Sequence, residues 1–389
     1  MEWIIRECQP SAPLFQRRRA RFRPLTLTVG VPTVLETKTM IVLYTEQNRD
    51  FMKLGLSLGH STGLRDLAAV ARRADAAGLD SLWVSEAYGS DAVSVLAYLA
   101  AVTSRIGLGT AVLQMPARTP AATAMTALTL DQLSEGRLLL GLGTSGPQVV
   151  EGWHGVAFDS PLARTREYVD IVRAVVARRD PLTYPGVHYP LPYPRPDRDP
   201  PRPLKATLHP TRPRIPVLLA ANGPRNVALA GQLAEGWLPA FYCPDRPELY
   251  HELLAPGLAR RSADLGPLRV VATVHLAPGA DLAACRDALR PVFALYLGGM
   301  GTRGRNFYAD LASRLGYGAA AQHIQDLYLD GHRTEAAAAV PDALIDQLAL
   351  VGPRERIRDR LAAWADAGVD VLTLKTTDVD LAAWLATAL

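Results

Sequence analysis

From Met52 onward, short apolar runs take turns with stretches of helical periodicity, and this alternation constrains the fold more than anything else in the chain. "KLGLSLG" reads as a strand, and "GLRDLAAVARRADAAG" carries apolar residues at helical spacing and stops at Gly78. "SLWVSE" is the next strand and "DAVSVLAYLAAVT" the next helix, with Asp91 placed to cap it. Strand "RIGLGTAVL" follows, then helix "PAATAMTALTLDQLSEG" with Pro120 in its first turn. Strand "RLLLGLG" and helix "LARTREYVDIVRAVVARR" complete the fourth unit. The strands are nearly continuous apolar runs, as expected where both faces of a parallel sheet are buried.

The alternation resumes with strand "IPVLLA", helix "PRNVALAGQLAEG", strand "GWLPAF" and a helix from about Pro247 to Ala263. "LRVVATVHL" is strand seven, helical segments fill residues 281–367, and "VLTLKT" is strand eight. Eight strand-then-helix units in this length favour an α/β fold of the closed (β/α)8 TIM-barrel type over an open doubly wound sheet. Two interruptions stand out. Residues 181–216 hold 12 of the 30 prolines, which reads as an extended connection before strand five. Residues 303–351 read as a helical insertion of about three helices between strands seven and eight, beside the barrel mouth or at a subunit contact.

Charge needs locating before it means anything. The sequence pI is about 9.0. Residues 1–51 hold eight Lys/Arg and five Asp/Glu, whereas the remainder holds 34 and 33. The body is thus nearly neutral, which argues against a nucleic-acid face. Residues 1–51 show no regular period and are expected to be a disordered or loosely attached N-terminal extension, with the folded domain spanning 52–389. No run approaches the roughly 18 apolar residues of a membrane helix. The three cysteines lie far apart without a CxxC pair, which favours a reducing, cytoplasmic setting.

Three segments carry candidate chemistry. "GLGTSG", residues 141–146, fits a G-x-G-x-x-G pattern, but it follows the fourth strand, and a helix stands where a dinucleotide site needs its acidic residue. In a barrel this loop lies at the C-terminal mouth, where glycines admit a flat ring or phosphate, or simply allow a tight turn. "AANGPRN" opens a helix with Asn222 or Gly223 near its cap, a phosphate-binding arrangement or a plain cap. "SEAYG" places Ser85 and Glu86 at the mouth, where Glu86 can hold the ring, pass a proton or only fix a loop. The histidines form neither HxH nor HExxH, so no metal site is expected, and no GxSxG elbow or phosphate-loop lysine is present.

The segment from "LWVSEAYGSDAVS" through "GTSGPQVVEGWHG" resembles the luciferase-like flavin/deazaflavin oxidoreductases. "LLAANGPRNVALAGQLAEGW" and "LVGPRERIRDRLAAWADAGVD" carry the same likeness, which runs from Met52 to the C-terminus. It is most similar to the coenzyme F420-dependent branch that includes methylenetetrahydromethanopterin reductase. The resemblance implies coenzyme F420, with FMN as the alternative, lying across the barrel mouth. It implies a non-prolyl cis peptide at Ala111–Val112 behind the ring system. Cofactor contacts are implied for Ser85, Ala111, Val112, Gln114, Thr144, Ser145, Gly146, Gln148, Ala221, Asn222 and Gly223. Sugar-phosphate dehydrogenase relatives carry an acid–His pair where this chain has Glu86 followed by Ala87. Glucose-6-phosphate chemistry is therefore not expected, and His60 or His154 are the replacement proton donors beside Glu86. The implied reaction moves hydride between deazaflavin and a small organic substrate. An FMN-dependent monooxygenase and a non-catalytic cofactor-binding barrel are the alternatives. A homodimer is implied as well.

Overall fold

A computed structural model describes residues 52–59, 63–304 and 306–389. The expected extension, residues 1–51, and the candidate His60 lie outside the described residues. The strands are β1 Lys53–Leu58, β2 Ser81–Val84, β3 Gly107–Thr110, β4 Leu113–Gln114, β5 Leu138–Gly143, β6 Val217–Ala220, β7 Gly236–Leu238, β8 Arg269–Pro278, β9 Ala349–Gly352 and β10 Val371–Lys375. Every pairing between them is parallel. β10 pairs with both β8 and β1, which closes the ring. β3 and β4 are two halves of one barrel position, each pairing with β5 and separated by a cis Ala111–Val112 peptide. β9 pairs only with the far end of β8, so the closed barrel has eight positions.

Side-chain size decides how the ring fills. Trp83, Leu218, Leu238, Val271 and Val371 are buried together inside it. The Trp83 indole fits because Gly109 stands beside it, where an added Cβ would lie 2.3 Å from the ring. Its indole N–H donates to Ser81 Oγ at 2.9 Å. Alternate strand residues such as Leu54, Leu56, Leu82 and Leu140 point outward into the main core against the helices. Helix Ala92–Ala100 is capped by Asp91, which accepts from the Ser94 N–H at 2.7 Å, as its position in the sequence suggests. Asp75, on helix Leu67–Ala76, accepts the N–H groups of Ser104, Arg105 and Ile106 at 2.8, 3.0 and 2.8 Å. That buried carboxylate ties the first helix to the turn entering β3.

The two interruptions differ in how they fold. The proline-rich stretch is largely irregular, with one antiparallel bridge, Tyr184 to Leu191, and a cis Leu191–Pro192 peptide. Glu167 anchors it by accepting the N–H groups of Val187, His188 and Tyr189. The insertion is richer than three helices. It holds helices Phe307–Ala312, Gly318–Leu329, Arg333–Ala338 and Asp342–Leu348, and then β9. "ALVG" reads as helix in sequence, since a short buried apolar run has no distinguishing period; its pairing with β8 makes it a strand.

Candidate active site

The loops that leave the C-terminal ends of the strands meet at one mouth, and a linked set of polar side chains forms one side of it. Gln114, at the end of β4, is almost fully buried. Its Nε2 donates to the Ala87 carbonyl at 2.9 Å, and its backbone N–H donates to Glu86 Oε2 at 3.1 Å. Its Oε1 lies 2.9 Å from His154 Nε2. Because Gln114 Nε2 is committed to Ala87, Oε1 must accept, and the network assigns the proton to His154 Nε2. In the neutral tautomer with that proton, the lone pair sits on Nδ1. One glutamine thus clamps the loops after β2 and β5 to the end of β4.

Glu86 is held from both sides of its carboxylate. Arg118 Nη1 donates to Oε2 at 2.8 Å and Nη2 to Oε1 at 2.9 Å, the bidentate fork that arginine makes best. Nη2 also reaches Asp91 Oδ1 at 2.7 Å. The hydrogen bond it donates to Glu86, reinforced by the Asp91 charge, raises the guanidinium above its ordinary pKa. Tyr168, buried on helix Pro161–Ala177, donates to the Arg118 carbonyl at 3.2 Å and fixes that residue from behind. Ser85 Oγ donates to the Leu58 carbonyl at 3.3 Å, binding the β2 loop to β1.

The glycines of residues 141–146 divide by role. A Cβ on Gly141 would stand 1.8 Å from the Thr110 carbonyl oxygen, and one on Gly143 2.6 Å from Val112 Cγ2. Both exist so that β5 can lie against the bulged third strand. Gly146 alone opens onto space, its virtual Cβ meeting nothing closer than Gln148 Oε1 at 3.9 Å. Thr144 and Ser145 are partly exposed beside it, Ser145 in the left-handed region at φ 57°, and Gln148 is exposed on the short helix that follows. Ala111, Val112 and Ala220 pack on the barrel interior while staying partly exposed, and make a small apolar floor.

The loop after β6 packs against the insertion. Ala221 is buried, and its carbonyl accepts the Trp237 indole N–H at 2.9 Å. Asn222 Oδ1 accepts from the Ala240 N–H at 3.2 Å. Gly223 caps helix Pro224–Leu233, but Phe307 of the insertion lies over it, 3.0 Å from where a Cβ would be. The helix end expected to meet phosphate thus has an aromatic ring beside it and lines a cavity with Phe307, Tyr308 and Arg314.

Sequence reasoning missed two inward-facing residues. Val271 and Val371 point into the barrel, so the two-residue strand period turns Thr273, His275, Thr373 and Lys375 the same way. The 2.7 Å contact between the Thr273 and Thr373 hydroxyls fits this placement. His275 and Lys375 are direct partners in the β8–β10 register, at the mouth end. Phe241 stacks on the imidazole at 5.8 Å and 20°, and Phe293, Tyr296 and Tyr308 surround Phe241. Burial first, and the Lys375 charge second, push His275 down to about 3, so it is neutral near pH 7. Burial also lowers the Lys375 ammonium. The signal was present in "VATVH" and "VLTLK", where polar residues recur at every second position up to the strand end. Among the described residues no cluster of His, Cys, Asp and Glu is suited to a metal ion.

The family model for luciferase-like monooxygenases matches residues 50–371. The chain belongs to that family. A provisionally named coenzyme F420-dependent oxidoreductase of Mycobacterium tuberculosis is 45% identical over 328 residues, covering 83% of this chain and 94% of the relative. A 5,10-methylenetetrahydromethanopterin reductase of Archaeoglobus fulgidus is 26% identical, covering 82% and 91%. Among solved structures, the coenzyme F420-dependent tetrahydromethanopterin reductase of Methanopyrus kandleri superposes with a TM-score of 0.72 at 20% identity, covering 87% of this chain and 98% of that one. The chain and that structure thus share the same barrel fold.

Proposed function

We propose that this protein is an F420-dependent oxidoreductase that moves hydride between the deazaflavin and an organic substrate. The observation that carries the reading is the mouth itself, a small apolar floor of Ala111, Val112 and Ala220 bordered by the polar Gln114–His154–Glu86 cluster. A flat heteroaromatic ring fits such a surface, since its face wants apolar contact and its edge wants hydrogen-bonding groups. The 45% identity to a relative named for F420 supports that cofactor over FMN. When bound, the deazaflavin supplies a two-electron hydride carrier.

The chain's own residues would then position and protonate. Ala111 and Val112 support the ring from the barrel side, while Thr144, Ser145, Gly146 and Gln148 form the opposite rim. Asn222 supplies a polar edge near the tail. His154, with its Nε2–H given to Gln114, keeps Nδ1 as a basic nitrogen able to take or return the substrate's proton. Glu86 is assigned a positioning role, because both its oxygens are engaged by the Arg118 fork and Oε2 also accepts the Gln114 N–H. The expected homodimer and cytoplasmic setting belong to the same reading. No helix among the described residues is long and apolar enough to cross a membrane.

The test is anaerobic turnover. Reduced F420 mixed with the protein and a panel of carbonyl and conjugated-alkene compounds should be oxidised without oxygen. Turnover that requires oxygen and FMN instead would select the monooxygenase reading.

A further inference from the structure

We propose that His275 and Lys375 form an oxyanion-binding position at the barrel mouth, which takes a carboxylate or another anionic oxygen of the bound molecule. The inference uses the proposed function only to say which molecule brings that oxygen. The two residues are register partners on adjacent strands and share the inner face with Thr273 and Thr373. The threonine hydroxyls satisfy each other below them, so neither competes for the lysine.

The charge balance at the mouth points the same way. Among the described residues no carboxylate pairs with Lys375, and the acids after β2 and β10 have partners of their own. Glu86 and Asp91 are held by Arg118, and Asp378 caps helix Val379–Ala386 through the Leu381 N–H. A partly buried ammonium without a counter-ion is costly, and an incoming anion removes that cost. His275 complements it chemically. It is pinned by the Phe241 ring and offers a neutral N–H, so it adds directionality without a second charge. The pair therefore suits one anionic oxygen, bonded by lysine and oriented by histidine. Two sources bring such an oxygen, a substrate carboxylate or phosphate and an anionic group of the cofactor.

Titrations of wild type, Lys375→Met and Lys375→Arg separate these sources. The probes are pyruvate, inorganic phosphate and oxidised F420, each at fixed ionic strength against chloride. If the substrate brings the anion, pyruvate or phosphate raises the wild-type unfolding midpoint, and Lys375→Met weakens that binding about tenfold or more. If the cofactor brings it, Lys375→Met weakens F420 by a similar factor and leaves pyruvate and phosphate without effect. Lys375→Arg retains part of the affinity in either case. Equal affinities in wild type and Lys375→Met for all three probes overturn the proposal. Should Lys375→Met fail to fold, the His275 ring nitrogen resonances of the wild type decide, since they must shift on addition of at least one probe. Lysine-dependent binding of pyruvate or phosphate with no F420 binding would retain this site and reject the F420 reading.

Discussion

At the scale of single residues, the groups that hold the mouth differ from those that act in it. Glu86→Gln is expected to weaken the fork with Arg118 and lower both stability and turnover, while the shape of the pH–rate profile stays unchanged. His154→Asn should lower turnover sharply while leaving the unfolding midpoint close to wild type. A profile that loses a limb in Glu86→Gln would instead make the carboxylate the shuttle. Asp75 offers a stability test with a defined sign. Burial alone would raise its pKa, but the N–H groups of Ser104, Arg105 and Ile106 and the Ser104 hydroxyl outweigh that and leave it lowered. Its contribution is therefore complete above the unfolded aspartate range and is lost as pH falls through the folded value. Asp75→Asn should cost about 1.5–3 kcal/mol near neutral pH. The gap to wild type should close in acid, as read by denaturant melts across pH. A gap independent of pH would contradict the assignment.

Elements add what residues alone do not carry, and the fourth barrel strand shows it. Gly141→Ala forces a methyl group onto the Thr110 carbonyl and should destabilise by at least about 1–3 kcal/mol, because strand backbones cannot give way as a flexible side chain can. Gly146→Ala meets open space and should stay within about 0.5 kcal/mol, its effect appearing in cofactor affinity instead. Equal melting points for the two variants would remove the division of labour drawn within residues 141–146. The sequence made the strand and its loop legible through apolar run and glycine spacing. It could not say which glycine served the wall, because close backbone approach depends on a neighbouring strand about 30 residues away. His275 and Lys375 escaped for a related reason. Inward or outward facing is fixed by ring closure between β8 and β10, whose pairing joins residues about 100 apart. Phe307 over Gly223 is likewise a long-range contact, and no local pattern announces it.

For the whole molecule, regular alternation was enough to reach a closed eight-position barrel, because parallel strands buried on both faces leave few other ways to arrange the helices. The short β9 was the exception, its run too brief to show a period. A chain truncated to begin at Met52 is predicted to fold with the thermal midpoint and cofactor affinity of the full chain. A large drop in either would make the preceding residues part of the barrel. The central claim, that the mouth is built for deazaflavin, is tested most directly by paired equilibrium titrations with F420 and FMN. F420 should bind with micromolar affinity or better, and FMN at least about tenfold more weakly. Tighter binding of FMN than of F420, with oxygen consumed on reduction, would contradict the account.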